Sequence, residues 1–340
     1  MAELHDDICD VPGILVGHDS DLDAATGCTV VLCSAPALGA CDVRGGAPAT
    51  RETDLLSPLA FMRQIHAVVL GGGSAYGLDA ASGVMAALER RGVGFDAGPA
   101  RVPIVPAAAL FDLGLGRPDV RPDAASGRRA LEAATGGPIA QGTVGAGTGA
   151  TVGKMGGPLL AVKGGIGSAS ARLPSGHLLG ALAAVNAAGD VYDEQTGRIV
   201  AGARSPTGSG WLAQDMAGIP PLGSSDTPPA VPGANTTLAV IATDAPLSKA
   251  ALAKLAQMAH DGLARAIRPV HTPLDGDVVF ALCTAADAPP PPEDAGWPVT
   301  LALAGAIAAQ TLSRAVVKGV LAATGLHGIP AVRDLPFVAS

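Results

Sequence analysis

The residues best suited to chemistry are Asn235, Thr236 and Thr237, which stand at the head of an apolar run over residues 238–242. A threonine hydroxyl inside a chain is barely ionised at neutral pH and needs an adjacent base to act as a nucleophile. Cleavage of the Asn235–Thr236 bond would create that base, because the freed α-amine has an ordinary pKa of about 7.7–8.0. We therefore predict that Thr236 is a nucleophile made by self-cleavage. By itself the dipeptide is also typical of an ordinary strand, since threonine is a common β residue.

Two carboxylates follow downstream, where Asp275 and Asp277 flank Gly276. In an extended segment, side chains two residues apart point to the same face. Both carboxylates could then orient the Thr236 hydroxyl and amine, or Asp277 could hold the ammonium group of a substrate. An Asp-Gly pair is also typical of a hairpin turn, and both interpretations stay open at this point.

Two glycine-rich segments resemble nucleotide-binding loops. An apolar run at 68–70 is followed by glycines within 71–77 and later by Asp96, which mimics a strand-loop-helix dinucleotide site. Tyr76, however, stands where glycine or alanine is expected, and its ring would impede close helix packing. Residues 145–153 resemble a phosphate loop, but Lys154 is followed by Met155 rather than by the serine or threonine that would hold magnesium.

The elements that must position these residues are predicted from hydrophobic periodicity, which indicates an α/β chain. A connection rich in Gly, Pro, Ser and Thr at 203–234 precedes the Asn235–Thr236 bond, and an exposed or strained link there suits a self-processing peptide. Ser248 is predicted to cap a helix. The predicted strands are 28–33, 67–70, 159–162, 182–186, 237–242 and 278–283, and the predicted helices are 78–91, 124–134, 247–267 and 299–323.

Composition excludes several classes of function. The net charge of −8 argues against nucleic acid and anionic membranes as partners, because those require basic patches. The 5 cysteines form no Cys-x-x-Cys pair, and the 7 histidines show no ligand spacing, so we expect neither disulfides nor a metal. The N-terminus lacks the features of a signal peptide, and we expect no membrane span and a cytoplasmic location.

Several motifs, in a single order from about residue 13 to about residue 329, resemble the L-aminopeptidase/D-Ala-esterase/amidase family, the P1-family peptidases. Within that family, Asn235-Thr236-Thr237 and the segment after His271 are most similar to the nylon-oligomer (6-aminohexanoate-oligomer) hydrolases. The β-aminopeptidase branch carries serine at the nucleophile instead. The motifs are Asp42-Val43-Arg44-Gly45-Gly46-Ala47-Pro48, Gly71-Gly72-Gly73-Ser74-Ala75-Tyr76-Gly77-Leu78, Gly145-Ala146-Gly147-Thr148-Gly149, Val152-Gly153-Lys154, Val185-Asn186 and Asp275-Gly276-Asp277.

This resemblance implies an αββα-layered fold of the N-terminal-nucleophile type. It implies a single domain over 1–340, self-cleaved into a large fragment 1–235 and a small fragment 236–340, and assembly into homo-oligomers, often tetramers. It also implies that Asn186 stabilises the oxyanion, that Lys154 keeps the Thr236 amine unprotonated, and that Tyr76 lines the substrate pocket. By pattern alone Asn186 is also typical of a turn, Lys154 of a solvated loop, and Tyr76 of a helix cap.

The predicted function is an amidohydrolase that needs no cofactor and cleaves short peptides or ω-amino-acid oligomers through a Thr236 acyl-enzyme. Exo-acting and endo-acting cleavage both stay open, because pocket shape depends on loop geometry. The alternatives are a β- or D-aminopeptidase or esterase of the same family, a dinucleotide-binding protein that uses 71–77, and a non-catalytic scaffold.

Overall fold

Alternate side chains of the central strands enter two different cores, which requires a sheet covered on both faces. The computed structural model describes residues 4–215, 235–292, 294 and 296–338. The helices are α1 Ala80–Arg90, α2 Ala124–Glu132, α3 Leu212–Asp215, α4 Lys249–Ala266 and α5 Trp297–Ala322. The strands are β1 Ile14–Asp21, β2 Thr26–Val43, β3 Ala49–Arg51, β4 Gln64–Gly71, β5 Phe95–Asp96, β6 Arg101–Val102, β7 Ala107–Ala109, β8 Thr151–Val152, β9 Val162–Lys163, β10 Gly165–Arg172, β11 Leu178–Asn186, β12 Asp190–Tyr192, β13 Ile199–Ala201, β14 Thr236–Thr243, β15 Ile267–Arg268 and β16 Val278–Cys283.

The long strand β2 joins two half-sheets. The large sheet has the order β10-β11-β14-β16-β2-β4-β7-β3, and β1 also pairs with β2. Residues 26–33 of β2 pair with β1, whereas residues 38–43 pair with β16. Between them the register with β4 shifts at exposed residues that include Pro36, which has no N–H to donate to a ladder. The chain therefore bends from one half-sheet into the other.

Three apolar cores separate four layers. In β14, Ala239 and Ile241 pack towards α4 and α5, whereas Leu238 and Val240 pack into a second core together with Val68 of β4. A third core lies between β2, β4 and the pair α1 and α2. The order is thus helices, half-sheet, half-sheet, helices. This arrangement confirms the predicted αββα fold.

Most predicted elements are present with shifted ends. The strand predicted at 278–283 coincides with β16, and Ser248 caps α4 by accepting a hydrogen bond from Ala251 N. The strand predicted at 159–162 is wrong, because Pro158–Leu160 is a 3-10 turn and β9 begins only at Val162. The predicted connection at 203–234 lies outside the described residues from position 216 onwards.

One helix bears on the expectation that the chain has no membrane span. By length and composition alone, α5 is apolar enough to do so. One such helix is weak support for a span, since core helices pass the same test. In this fold, Ala308, Leu312 and Val316 of α5 are buried in the core against the first half-sheet.

Candidate active site

Thr236 is the first residue of β14 and lies directly opposite Asn186, the last residue of β11. Residues directly opposite in an antiparallel pair project to the same face. Leu238, two residues after Thr236, belongs to the core between the half-sheets, so both side chains face that layer. Thr236 is 2% exposed and Asn186 is fully buried. The register therefore brings together two residues that are 50 positions apart in sequence.

The carbonyl oxygen of the peptide bond before Thr236 accepts two hydrogen bonds. Thr236 Oγ1 lies 2.6 Å from the carbonyl oxygen of Asn235, which also accepts a hydrogen bond of 2.8 Å from Gly276 N. Asn235 pairs with Asp275 in an isolated parallel bridge, which fixes the segment before the bond. A hydrogen-bond donor on a carbonyl oxygen stabilises the negative charge that develops there during attack.

The two aspartates hold the residues that surround Thr236. Asp275 accepts hydrogen bonds from Thr272 N at 2.7 Å and from Thr272 Oγ1 at 2.6 Å. Asp277 accepts from the backbone N–H of Thr237 at 2.7 Å. Burial raises the pKa of Asp275, and the neighbouring charge of Asp277 raises it further.

The turn at this site differs from the Asp-Gly hairpin that the sequence left open. The backbone N–H of Asp275 bonds to Thr272 O, so the turn ends at Asp275, and Gly276 leads on towards β16. In this arrangement Asp277 bonds to the N–H of Thr237 rather than to the Thr236 hydroxyl. The contact of Asp277 with Thr236 is therefore through the neighbouring peptide.

Asn186 is held from both sides of its amide group. Its Oδ1 accepts hydrogen bonds from Thr151 N at 3.0 Å and from Lys154 Nζ at 2.9 Å. Its Nδ2 donates to the carbonyl oxygen of Phe111 at 2.9 Å. An amide nitrogen carries two N–H groups, so one remains for a developing oxyanion. Asn186 ends a strand, but it is a buried strand residue rather than an exposed turn residue.

Lys154 is held in a buried environment against Asn186. Burial lowers its pKa to about 7, although the charge of Asp275 opposes this shift. Its Nζ also lies 3.2 Å from the main-chain oxygen of Asn186. The solvated-loop interpretation is therefore wrong, because the ammonium group lies against Asn186.

Two charged residues behind the site were missed by the sequence analysis. Lys163 is fully buried, and its Nζ donates to Thr148 O at 2.8 Å and to Ala150 O at 2.6 Å. Burial lowers its pKa to about 7 and also raises the pKa of the buried Asp112. The only sequence signal is that each charge adjoins a short apolar run, and this pattern is common on protein surfaces.

These two charges occupy the glycine-rich loops that resemble nucleotide sites. Gly73 N, in the first loop, donates to Asp112 Oδ1 at 2.7 Å, so this loop binds a carboxylate of the chain itself. In the second loop, the carbonyl oxygens of Thr148 and Ala150 bind the ammonium group of Lys163. A phosphate cradle presents N–H groups instead. The geometry therefore argues against both nucleotide interpretations.

Tyr76 lies apart from this network of hydrogen bonds. Its side chain is 63% exposed, and the guanidinium carbon of Arg121 lies 4.1 Å from the centre of its ring. It sits in the 3-10 segment Ser74–Asp79 that leads into α1. Its role in lining the substrate pocket remains a prediction.

Comparison with known proteins identifies the family of this chain. The sequence model of Peptidase family S58 matches residues 6–332. The chain belongs to this family. A protein of Mycobacterium tuberculosis named as an uncharacterized aminopeptidase is 49% identical over 356 residues, covering 96% of this chain and 97% of the relative. The 6-aminohexanoate-oligomer endohydrolase of Paenarthrobacter ureafaciens is 33% identical over 312 residues, covering 91% of this chain and 84% of the relative.

Two solved structures of aminopeptidases agree with the fold. The L-aminopeptidase D-Ala-esterase/amidase from Ochrobactrum anthropi has a TM-score of 0.70 at 20% identity, with 96% of this chain and 88% of that chain covered. A Burkholderia β-aminopeptidase has a TM-score of 0.68 at 23% identity, with 99% and 96% covered. The first is described as a variant of the Ntn-hydrolase fold, which is the fold predicted here.

Proposed function

We propose that this chain is an amide hydrolase that makes its own nucleophile by cleaving the Asn235–Thr236 bond. The observation that supports this proposal is that the carbonyl oxygen of Asn235 accepts two hydrogen bonds, from Thr236 Oγ1 at 2.6 Å and from Gly276 N at 2.8 Å. Membership of a peptidase family makes the chain a peptide-bond hydrolase. The threonine nucleophile and the self-cleavage are the parts that we add.

In the proposed maturation, Thr236 Oγ1 attacks the carbonyl carbon of Asn235. The C–N bond breaks, the nitrogen takes the proton of the hydroxyl, and an ester joins Asn235 to the threonine side chain. Water then hydrolyses this ester, leaving a carboxylate on Asn235 and a free α-amine on Thr236. Gly276 N–H stabilises the oxyanion of the tetrahedral intermediate, since it already bonds to that oxygen.

In the proposed turnover, the same oxygen attacks the amide carbon of a substrate. The α-amine of Thr236 accepts the hydroxyl proton and passes it to the leaving amine, as a base with a pKa near ambient pH should. The acyl-enzyme is then hydrolysed by water. Asn186 stabilises the oxyanion through its remaining N–H, and the nearby charge of Lys154 keeps the α-amine unprotonated.

We propose short peptides with a free amino terminus as the substrate class, and ω-amino-acid oligomers as a second class. The relative at 49% identity is named an aminopeptidase, which favours the first class. The relative at 33% identity is named an oligomer endohydrolase, which favours the second. As in the sequence-based expectation, we also propose a cytoplasmic homo-oligomer of processed chains.

The decisive experiment is intact mass spectrometry of the purified, denatured protein. We expect two fragments, 1–235 and 236–340, from the wild type and a single full-length chain from Thr236→Ala. Thr236→Ser keeps a hydroxyl and should still be cleaved. Hydrolysis of dipeptide amides and 6-aminohexanoate oligomers, measured on the same samples, should follow the extent of cleavage. An active Thr236→Ala protein, or an active but uncleaved wild type, would refute the mechanism.

A further inference from the structure

His271 binds Asp277 through two separate hydrogen bonds. Its ring Nδ1 lies 2.8 Å and its backbone N 3.1 Å from Asp277 Oδ2. The other oxygen of Asp277 accepts from Thr237 N, directly after the nucleophile. The Asp277 side chain is only 2% exposed, so these hydrogen bonds replace the ones that water would donate to an exposed carboxylate. A short chain of contacts thus runs from Thr237 through Asp277 to His271.

The backbone of His271 adopts an uncommon conformation at this contact. Its φ is +56°, in the left-handed region that few non-glycine residues adopt, with asparagine, aspartate and histidine the most frequent among them. In that conformation both its backbone N–H and its ring reach the same carboxylate oxygen. Strained backbone of this kind concentrates at functional sites, where the surroundings hold it.

A second histidine fixes the plane of the first. The rings of His260 and His271 meet edge to face, with centroids 4.8 Å apart and an interplanar angle of 74°. His260 Nε2 lies 3.0 Å from the carbonyl oxygen of Asp42, so this nitrogen carries the hydrogen. Among the described residues, His260 Nδ1 and His271 Nε2 are buried without a hydrogen-bond partner. A hydrogen on His271 Nε2 would have no acceptor there, whereas a hydrogen on Nδ1 has Asp277 Oδ2, so the contacts favour the Nδ1–H tautomer.

We propose that His271 is a positioning residue: its Nδ1–H holds Asp277 so that the carboxylate aligns the Thr236–Thr237 peptide for attack. This inference rests on the proposed function, since it assigns a role in the same self-cleavage and turnover. His271 touches neither the scissile bond nor Thr236 in the described contacts. It acts through Asp277, which would otherwise turn away from Thr237 N to satisfy its second oxygen.

The test compares His271→Asn with His271→Asp. Both residues tolerate a positive φ, and the two side chains have the same shape. Asparagine can donate to Asp277 through Nδ2, which takes the place of Nδ1, whereas ionised aspartate has no donor and repels the carboxylate. His327 is exposed, also has a positive φ of +49°, and provides the same pair of substitutions as a control.

We expect His271→Asn to self-cleave within about threefold of the wild type, and His271→Asp to cleave about 10- to 150-fold more slowly, the factor for one hydrogen bond to a charged group. Once cleaved, the Asp variant should show a lower kcat with KM unchanged. Both His327 variants should behave as the wild type. Equal rates for the two His271 variants, or a change in KM alone, would overturn the proposal.

A measurement on the wild-type protein keeps the inference testable if a variant fails to fold. In protein labelled with 15N-histidine, His271 should show a protonated Nδ1. A bare Nδ1 on His271 would overturn the proposal. This outcome is distinct from failure of the proposed function, which would appear as a wild-type chain that is active without cleavage.

Discussion

Replacing Gly276 by alanine should slow self-cleavage by displacing the nucleophile. A Cβ at this position would lie 2.7 Å from Thr236 Oγ1 and 2.9 Å from the carbonyl oxygen of Ala47. The backbone of Gly276 does not adopt a positive φ, so alanine fits the local conformation. Its N–H, which bonds to Asn235 O, is retained. The substitution therefore removes no hydrogen-bonding group and tests the relative position of the Thr236 hydroxyl and the residue 276 backbone.

The size of the effect follows from the displacement. Ordinary van der Waals contact for a Cβ begins at 3.4 Å, so the hydroxyl oxygen or the residue 276 backbone must move by about 0.7 Å. A shift of about 1 Å in a reacting group can cost about 100-fold in rate. We therefore expect Gly276→Ala to be cleaved roughly 10- to 100-fold more slowly than the wild type.

Cell-free synthesis, quenched at intervals and analysed by gel electrophoresis, measures this rate before cleavage is complete. Gly114→Ala is the matched control, because a Cβ at Gly114 has no heavy atom within 4 Å and its φ is not positive. It should cleave at the wild-type rate. Thermal unfolding of both variants checks that the fold is retained. A folded Gly276→Ala protein that cleaves as fast as Gly114→Ala would refute the argued geometry.

Two further substitutions test the residues around the nucleophile. Asn186→Ala should lower kcat by about 100- to 1000-fold, the typical loss for one oxyanion donor, and an unchanged kcat in cleaved protein would contradict this role. Lys163 has a folded pKa of about 7, below its unfolded value of 10.5, so the unfolded chain binds more protons between these values and stability rises with pH there. Denaturant titrations at pH 7 and 8.5 measure how the unfolding free energy depends on pH. In Lys163→Met this pH dependence should be weaker than in the wild type, by up to about 1.4 kcal/mol per pH unit. Lys254→Met, at an exposed position of α4, is the control and should keep the wild-type pH dependence.

The parts of the fold that could be predicted are those governed by local hydrophobic pattern. The apolar run after Thr236 and the run at 278–283 are strands with almost the predicted ends, because both are buried on two faces. Strands β8 and β9, with two residues each, carry too little pattern to be recognised. The run at 159–162 is apolar enough to predict a strand, but Pro158 begins a 3-10 turn there.

The site was predicted as a set of residues but not as a geometry. The register that places Asn186 opposite Thr236 depends on pairing between distant strands, which no local pattern encodes. The same holds for the bond between Asp277 and Thr237 N, because the parallel pairing of β14 with β16 sets it. Gly276 was noted only as a spacer, whereas in the structure any Cβ at this position would lie 2.7 Å from Thr236 Oγ1.

The glycine-rich loops explain how the oxyanion site stays rigid. The loop at Gly73 holds Asp112, and the residue before it, Phe111, accepts the Asn186 Nδ2–H. The loop that ends at Ala150 holds Lys163, and the following residue, Thr151, donates to Asn186 Oδ1.

Asp112 adjoins Phe111 in sequence, and Ala150, which binds Lys163, adjoins Thr151. Each loop thus binds a buried charged group next to a residue that contacts the amide of Asn186. The buried amide of Asn186 cannot flip without losing its three hydrogen bonds, to Thr151, Lys154 and Phe111. Such a donor is fixed before charge develops, which is the condition under which an oxyanion donor contributes most to rate. In this chain, glycine-rich loops that resemble nucleotide sites therefore position Asn186 beside Thr236, as the proposed oxyanion role of this amide requires.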